Sequence, residues 1–283
     1  MSSSHLTAGT FGRHDPHAES TLLRRLVSGI GPLLLLYVFY TIVRFLVADR
    51  GPNLGLTNAL QVIDLERRLG IYWEKGAQAA SLPHDRFVQI ANWYYVLGFL
   101  PMLVGGAVLA AWRAPSALFH WRGIFALSLL MAIVGYTLFP LTPPRLLPND
   151  WGFVDTLTTF GPRYYGDHTG ESLFNGYGRL PSMVNVYAAM PSMHVAWSVI
   201  AGALIAAAFA RRVWALAIAV LHPSLMAIAV VVTANHYLLD VVAGLIVLSL
   251  SILSVHLYER RYDTVGDTEL VSASFPNAAS GAS

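Results

Sequence analysis

Apolar runs of about 20 residues recur along this chain of 283 residues, at roughly 31–48, 87–112, 123–141, 190–210, 213–234 and 235–257. A run of that length matches the hydrocarbon thickness a helix must cross in a bilayer. Backbone N–H and C=O groups cannot stay unpaired in hydrocarbon, so such segments cross as helices. The pattern predicts an all-α polytopic membrane protein with six transmembrane helices. Composition agrees, with 55% hydrophobic and only 12% charged residues, against about 25% charged in soluble domains. A net charge of +2 without a dense basic run gives no reason to expect nucleic acid as a partner. The absence of cysteine excludes disulfides, thiolate catalysis and cysteine-ligated metals.

The flanks read differently from the core. Residues 1–28, polar and ending near Arg24-Arg25, predict a disordered tail, as do residues 259–283, leaving a membrane domain over 29–258. Asp15, Pro16 and Glu19 precede the first apolar run, so it predicts a retained anchor rather than a cleaved signal. Residues 53–80 interleave Leu56, Leu60, Ile63, Leu65, Leu69 and Ile71 with Asp64, Glu66, Arg67, Arg68, Glu74 and Lys75. That stretch is too polar to span and predicts an interfacial amphipathic helix, in two pieces broken near Gly70. Thr142-Pro143-Pro144-Arg145 must end the third run, since two prolines cannot continue a helix. The Gly-rich loop over 146–189 is long enough to predict a lid or binding element.

Six crossings put both termini on one side. Arg24-Arg25, Arg113 with Arg122, Arg211-Arg212 and Arg260-Arg261 then share that side, which the positive-inside rule assigns to the cytoplasm. The expected location is the plasma membrane, with the lipid bilayer as surroundings; the sequence leaves the oligomeric state open.

His236 and Asp240 stand four residues apart at the start of the last apolar run, one helical turn apart and on one face. Ionisable groups at such a place are a functional signal. The carboxylate can accept from one imidazole nitrogen and leave the other to attack or to take a proton. Alternation of the spans brings Arg145, Ser192, His194, His236 and Asp240 to one membrane face, which is expected to be the outer one. These residue types suit displacement at phosphorus. Arg145 offers a planar fork for phosphate oxygens. Helix starts at Pro191-Ser192 and near Asn235-His236 would add backbone N–H groups, with Pro191 as first helical residue and the Ser192 hydroxyl as a donor. Of the two histidines, one attacks while the other protonates the departing oxygen. Two other readings stay open here. His194, His236 and Asp240 could instead ligate zinc. A proton relay in a transporter is the other, though between 239 and 257 only Asp240 and His256 could serve it. Isolated histidines such as His222, His256 and His168 are expected to be hydrated interfacial residues.

Pro143-Pro144-Arg145, Pro191-Ser192-Met193-His194 and His236 with Asp240 resemble, in this order, the three signature blocks of the type 2 phosphatidic acid phosphatase superfamily. "P-P-R-L", "A-M-P-S-M-H-V-A" and "H-Y-L-L-D-V-V-A-G" are similar to its inositol phosphorylceramide synthase branch, over about residues 60–257. The resemblance implies a metal-free, cofactor-free phosphohistidine mechanism. His236 would be the nucleophile, Asp240 its activating carboxylate and His194 the leaving-group acid, with Arg145 and Ser192 binding phosphate; the helix start adds Asn235 as a further expected phosphate-binding residue. Leu138 and Val230 stand where the broader superfamily has a lysine and an arginine. Fewer cations suit a singly charged phosphodiester better than a phosphomonoester. The expected function is transfer of a phosphate-linked headgroup from a membrane phospholipid to an alcohol. The rival is a lipid phosphatase acting on phosphatidate or a polyprenyl phosphate.

Overall fold

The computed structural model describes residues 16–47, 51–160 and 187–274. Its helices are α1 (Pro16–Val47), α2 (Gly51–Leu69), α3 (Glu74–Ser81), α4 (Asp85–Arg113), α5 (Pro115–Leu138), α6 (Met193–Ala208), α7 (Val213–Val232) and α8 (Leu238–Ser274). Among the described residues there is no strand, only one parallel bridge between Leu141 and Ala188. The chain is all-α, as the apolar pattern predicts.

Five helices carry segments long and apolar enough to cross a membrane: Leu23–Tyr40 in α1, α4, α5, α7 and Leu238–Arg261 in α8. Leu34, Leu35 and Val38 of α1, Leu100 and Val104 of α4, Leu138 of α5, Val220 of α7 and Ile246 of α8 all point outward, as lipid-facing positions should. The sixth run behaves otherwise. α6 is apolar but only 16 residues long, and twelve of them are buried. It packs on α4, α5, α7 and α8. A helix walled by protein need not match the bilayer, because non-helical backbone next to it can be satisfied by protein partners. Small residues allow the close packing: a Cβ on Gly202 would lie 2.6 Å from the Ala219 Cα of α7.

α2 and α3 form the amphipathic segment, broken at Gly70, whose φ of +71° is the left-handed conformation glycine adopts without strain. The inward face of α2 carries Ala59, Val62, Ile63 and Glu66, while Leu60, Leu65 and Leu69 face outward. The helix is thus apolar on both faces, with one carboxyl among the inward residues and three leucines outside.

α1 begins at Pro16 and α8 continues to Ser274, so both helices reach into the polar flanks. The central part of the predicted lid, residues 161–186, lies outside the described residues. The segment Thr142–Arg145 is held from several sides. Thr142 N–H donates to Gly55 O at 3.1 Å, Asn58 Nδ2 to Pro140 O at 2.7 Å, and the Tyr237 hydroxyl to Thr142 O at 3.1 Å.

Candidate active site

The start of α8 is saturated with acceptors. α7 ends in a turn with Ala234 at φ +55°, after which Asn235 and His236 N–H both donate to Val230 O, at 2.9 and 3.1 Å. Asp240, in the first turn of α8, reaches back with Oδ2 to Tyr237 N–H at 2.9 Å, the reach a capping box uses. Leu238 N–H donates to Glu74 Oε1 at 2.6 Å and Leu239 N–H to Glu66 Oε1 at 2.8 Å. Such a bond is worth about 0.5–1.5 kcal/mol to a neutral acceptor and about 1.5–3 kcal/mol to an ionised one. Three carboxyls from three helices thus fix this turn and with it the His236 side chain.

Those carboxyls share a dry place. Glu66 and Glu74 are both fully buried. Burial pushes the Glu66 carboxyl up to about 8, and burial raises Glu74 as well. As carboxylates, Glu66 Oε2 and Glu74 Oε2 would lack partners; one proton held between the two groups satisfies both.

His236 is buried, and its Nδ1 lies 3.2 Å from Asp240 Oδ2. With the carboxylate accepting from Nδ1–H, the lone pair resides on Nε2. Across from it stands His194, with ring centroids 5.7 Å apart. His194 is sandwiched against Tyr95 at 4.5 Å and Phe99 at 5.2 Å. A π-helical turn over Tyr94–Gly98 interrupts α4 at this level and aims both rings at the histidine.

The start of α6 is the opposite of α8. Ser192 is its N-cap residue, but its side chain makes no capping bond, and the buried Oγ has no partner. Its backbone is nonetheless fixed. Ser192 N–H donates to Asp240 O at 2.9 Å, and the Tyr136 hydroxyl donates to Pro191 O at 2.8 Å. Gly244 permits the contact, since a Cβ there would come within 2.3 Å of Ser192 O.

Arg145 closes the group. Its N–H donates to Ala234 O at 2.8 Å, its Nε to Asn235 Oδ1 at 2.9 Å and its Nη1 to Asp155 Oδ2 at 3.1 Å. The Asp155 backbone is held on both sides by buried amides. Gln78 exchanges two bonds of 2.9 Å with Val154, and Asn92 donates to Thr156 O at 2.8 Å while accepting from its hydroxyl at 3.0 Å.

All six residues named from the sequence therefore come together: Arg145, Ser192, His194, Asn235, His236 and Asp240. Three details change. Pro191 precedes the N-cap of α6 rather than opening the helix. Asn235 spends its side chain on Arg145 Nε and, at 2.8 Å, on Thr233 Oγ1, so it positions the arginine instead of presenting a phosphate donor. The amides near Asn235-His236 are occupied by Val230 O and by the Asp240, Glu74 and Glu66 carboxyls. His222 also differs from a hydrated interfacial residue, being buried with Nδ1 2.5 Å from the Tyr94 hydroxyl. Glu66, Glu74 and Asp155 are bonded into this group although nothing in the sequence singled them out. Leu138 is exposed and Val230 is buried among Val195, Met226 and Val241, so neither position brings a cation to the site. Among the described residues no three His, Asp or Glu side chains are grouped so as to hold a metal ion.

A family model described as PAP2 superfamily matches residues 60–254. No curated protein and no solved structure matches the chain.

Proposed function

The chain belongs to the PAP2 superfamily, whose members are phosphatases or phosphotransferases acting on phosphorylated substrates, and from that premise we propose a membrane lipid phosphotransferase working through a phosphohistidine on His236. The observation that carries this reading is the pairing of His236 Nδ1 with Asp240 opposite the ring of His194, next to an arginine tied to the neighbouring Asn235.

The geometry supports two balanced displacements. In the first, His236 Nε2 attacks phosphorus, the bond from phosphorus to the lipid oxygen breaks, and protonated His194 gives its proton to that oxygen. Asp240 stabilises the imidazolium that develops at His236. Arg145 and the Ser192 hydroxyl bind the phosphate oxygens, joined by the positive end of α6. In the second, an alcohol attacks phosphorus, His194 takes its proton, and the phosphorus–nitrogen bond breaks. Water in place of the alcohol would make the same residues a lipid phosphatase.

The fewness of cations around Arg145 favours a phosphodiester donor, as in the inositol phosphorylceramide synthase-like branch. In this reading α6 counts as a sixth crossing, both termini are cytoplasmic and the site opens on the outer face of the plasma membrane. The test is purified protein incubated with a panel of radiolabelled phospholipids and alcohol acceptors, beside His236→Ala. Headgroup transfer by the wild type and none by the variant is the expected result. Full turnover by His236→Ala removes the mechanism, and free phosphate as the sole product removes the transferase.

A further inference from the structure

Arg145 does not meet a substrate as a bare cation. Its Nη1 is already bonded to Asp155 Oδ2 at 3.1 Å, with both side chains largely enclosed, at 16% and 22% exposure. The pairing is built rather than incidental. Asp155 Oδ1 accepts from Leu157 N–H at 3.2 Å, so the carboxylate caps the helical turn Thr156–Thr159 with one oxygen and holds the arginine with the other. Gln78 of α3 and Asn92 of α4 clamp the residues on either side of it, Val154 and Thr156, and the Thr156 hydroxyl also reaches Thr233 O at 3.3 Å, beside the α8 turn. An isolated surface pair would give way to an incoming anion at little cost; a carboxylate whose flanking residues are held from α3, α4 and the end of α7 will not.

The carboxyl groups bonded into this end of the bundle are Asp240 on His236, and Glu66 and Glu74 on the first turn of α8, while the Arg67 guanidinium lies over the Tyr72 and Trp151 rings. A guanidinium carries five N–H donors, and two of them are spent on Asn235 and Asp155. What remains toward the site is hydrogen-bonding geometry with its charge already cancelled. A phosphodiester brings one negative charge into that environment. A phosphomonoester, with a second pKa near 6, brings nearly two at neutral pH, and the second charge meets Asp155 across Arg145.

Resting on the phosphotransfer reading above, we propose that Asp155 is a specificity-determining residue that sets the phosphate pocket for the monoanion of a lipid phosphodiester and against the dianion of a phosphomonoester. It acts through Arg145 and is a positioning group, not a catalytic one.

The test measures binding to the full-length protein in detergent by titration calorimetry at pH 8, so it does not depend on turnover. The probes are methyl phosphate, a dianion there, and dimethyl phosphate, a monoanion. Asp155→Asn keeps the shape and one acceptor oxygen without the charge, Asp155→Ser keeps a capping oxygen, and Asp155→Glu keeps the charge. Like-charge juxtaposition costs enough to be read easily. Both uncharged variants are expected to tighten methyl phosphate at least about tenfold relative to dimethyl phosphate, while Asp155→Glu keeps the wild-type ratio. A ratio left unchanged in both uncharged variants overturns the proposal, since a merely structural role would weaken the two probes alike. The phosphotransfer reading fails by a different sign, wild-type protein that moves no headgroup to any alcohol, and the binding ratio judges Asp155 in that case too.

Discussion

Two helix starts face each other across this site and are furnished in opposite ways. At α8, Asp240, Glu74 and Glu66 accept from the N–H groups of Tyr237, Leu238 and Leu239 in succession. At α6, the N-cap Ser192 makes no capping bond and its buried hydroxyl has no partner. A helix start attracts anions. At α8 the protein supplies its own acceptors for those N–H groups, and the start becomes a rigid mount for His236. At α6 the buried Ser192 hydroxyl is left without a protein partner. In the proposed mechanism one start holds the nucleophile and the other receives the phosphate, and the backbone bond from Ser192 to Asp240 O ties the two together.

Breaking the α8 mount at its centre has the largest expected effect. Asp240→Asn keeps the shape but no longer imposes the His236 tautomer or stabilises its cation. A loss of about 10³–10⁴ in kcat is expected in single-turnover assays, by the logic of a carboxylate-oriented histidine. A loss under tenfold would mean that Asp240 only caps the helix.

At α6 the comparison sharpens into activity without stability. Ser192→Ala removes a donor aimed at the phosphate, with an expected fall of about 10²-fold in kcat/KM. Because Oγ has no protein partner, thermal unfolding should not move downward. A lowered melting temperature with intact kcat/KM would reverse the assignment of the two starts.

The smallest effect lies in the pH dependence of the mount. The folded chain keeps a proton on Glu66 up to about 8, and the unfolded chain gives it up in the ordinary glutamate range. Folding therefore takes up a proton in between, so stability contributed by this group is full below the ordinary range, declines as pH rises toward about 8 and is level above. The groups facing Glu66 are Glu74 from α3, Asp240 and Tyr237 at the α8 start, and Tyr72, whose ring carries the Arg67 guanidinium. Glu66→Gln retains an oxygen for Leu239 N–H and has no proton to lose. Denaturant midpoints of this variant should fall less between pH 6 and 9 than those of the wild type, and equal slopes would show that the pair holds no shared proton.

The grouping of Arg145, Ser192, His194, His236 and Asp240 was legible in the sequence because its signals are either local or topological. His236 and Asp240 sit one turn apart, and Arg145, Ser192 and His194 stand at the ends of apolar runs that alternate across the membrane. The supports were not legible. Glu66 hides in a helix whose leucines face outward, so a periodicity read for a water-soluble core assigns its carboxylate to the wrong face. Glu74, eight residues on and past the Gly70 break, looks like an ordinary first-turn acid; only the fold shows that both point at the same turn of α8. Asp155 lies in a loop where nothing but its distance of ten residues from Arg145 hinted at a pair. Residue type alone marked Asn235 as a phosphate donor and could not show that its side chain bonds Arg145 and Thr233. The short α6 departs from the other runs because protein, not lipid, surrounds it.

The central claim is that the α8 start mounts a nucleophile, and it is tested most directly by rapid quench. Wild-type protein mixed with a phospholipid labelled at phosphorus should trap acid-labile, base-stable label on the peptide containing His236, accumulating when the alcohol acceptor is withheld and discharged when it is added. Label on a different residue, or turnover with no labelled protein at any quench time, would contradict it.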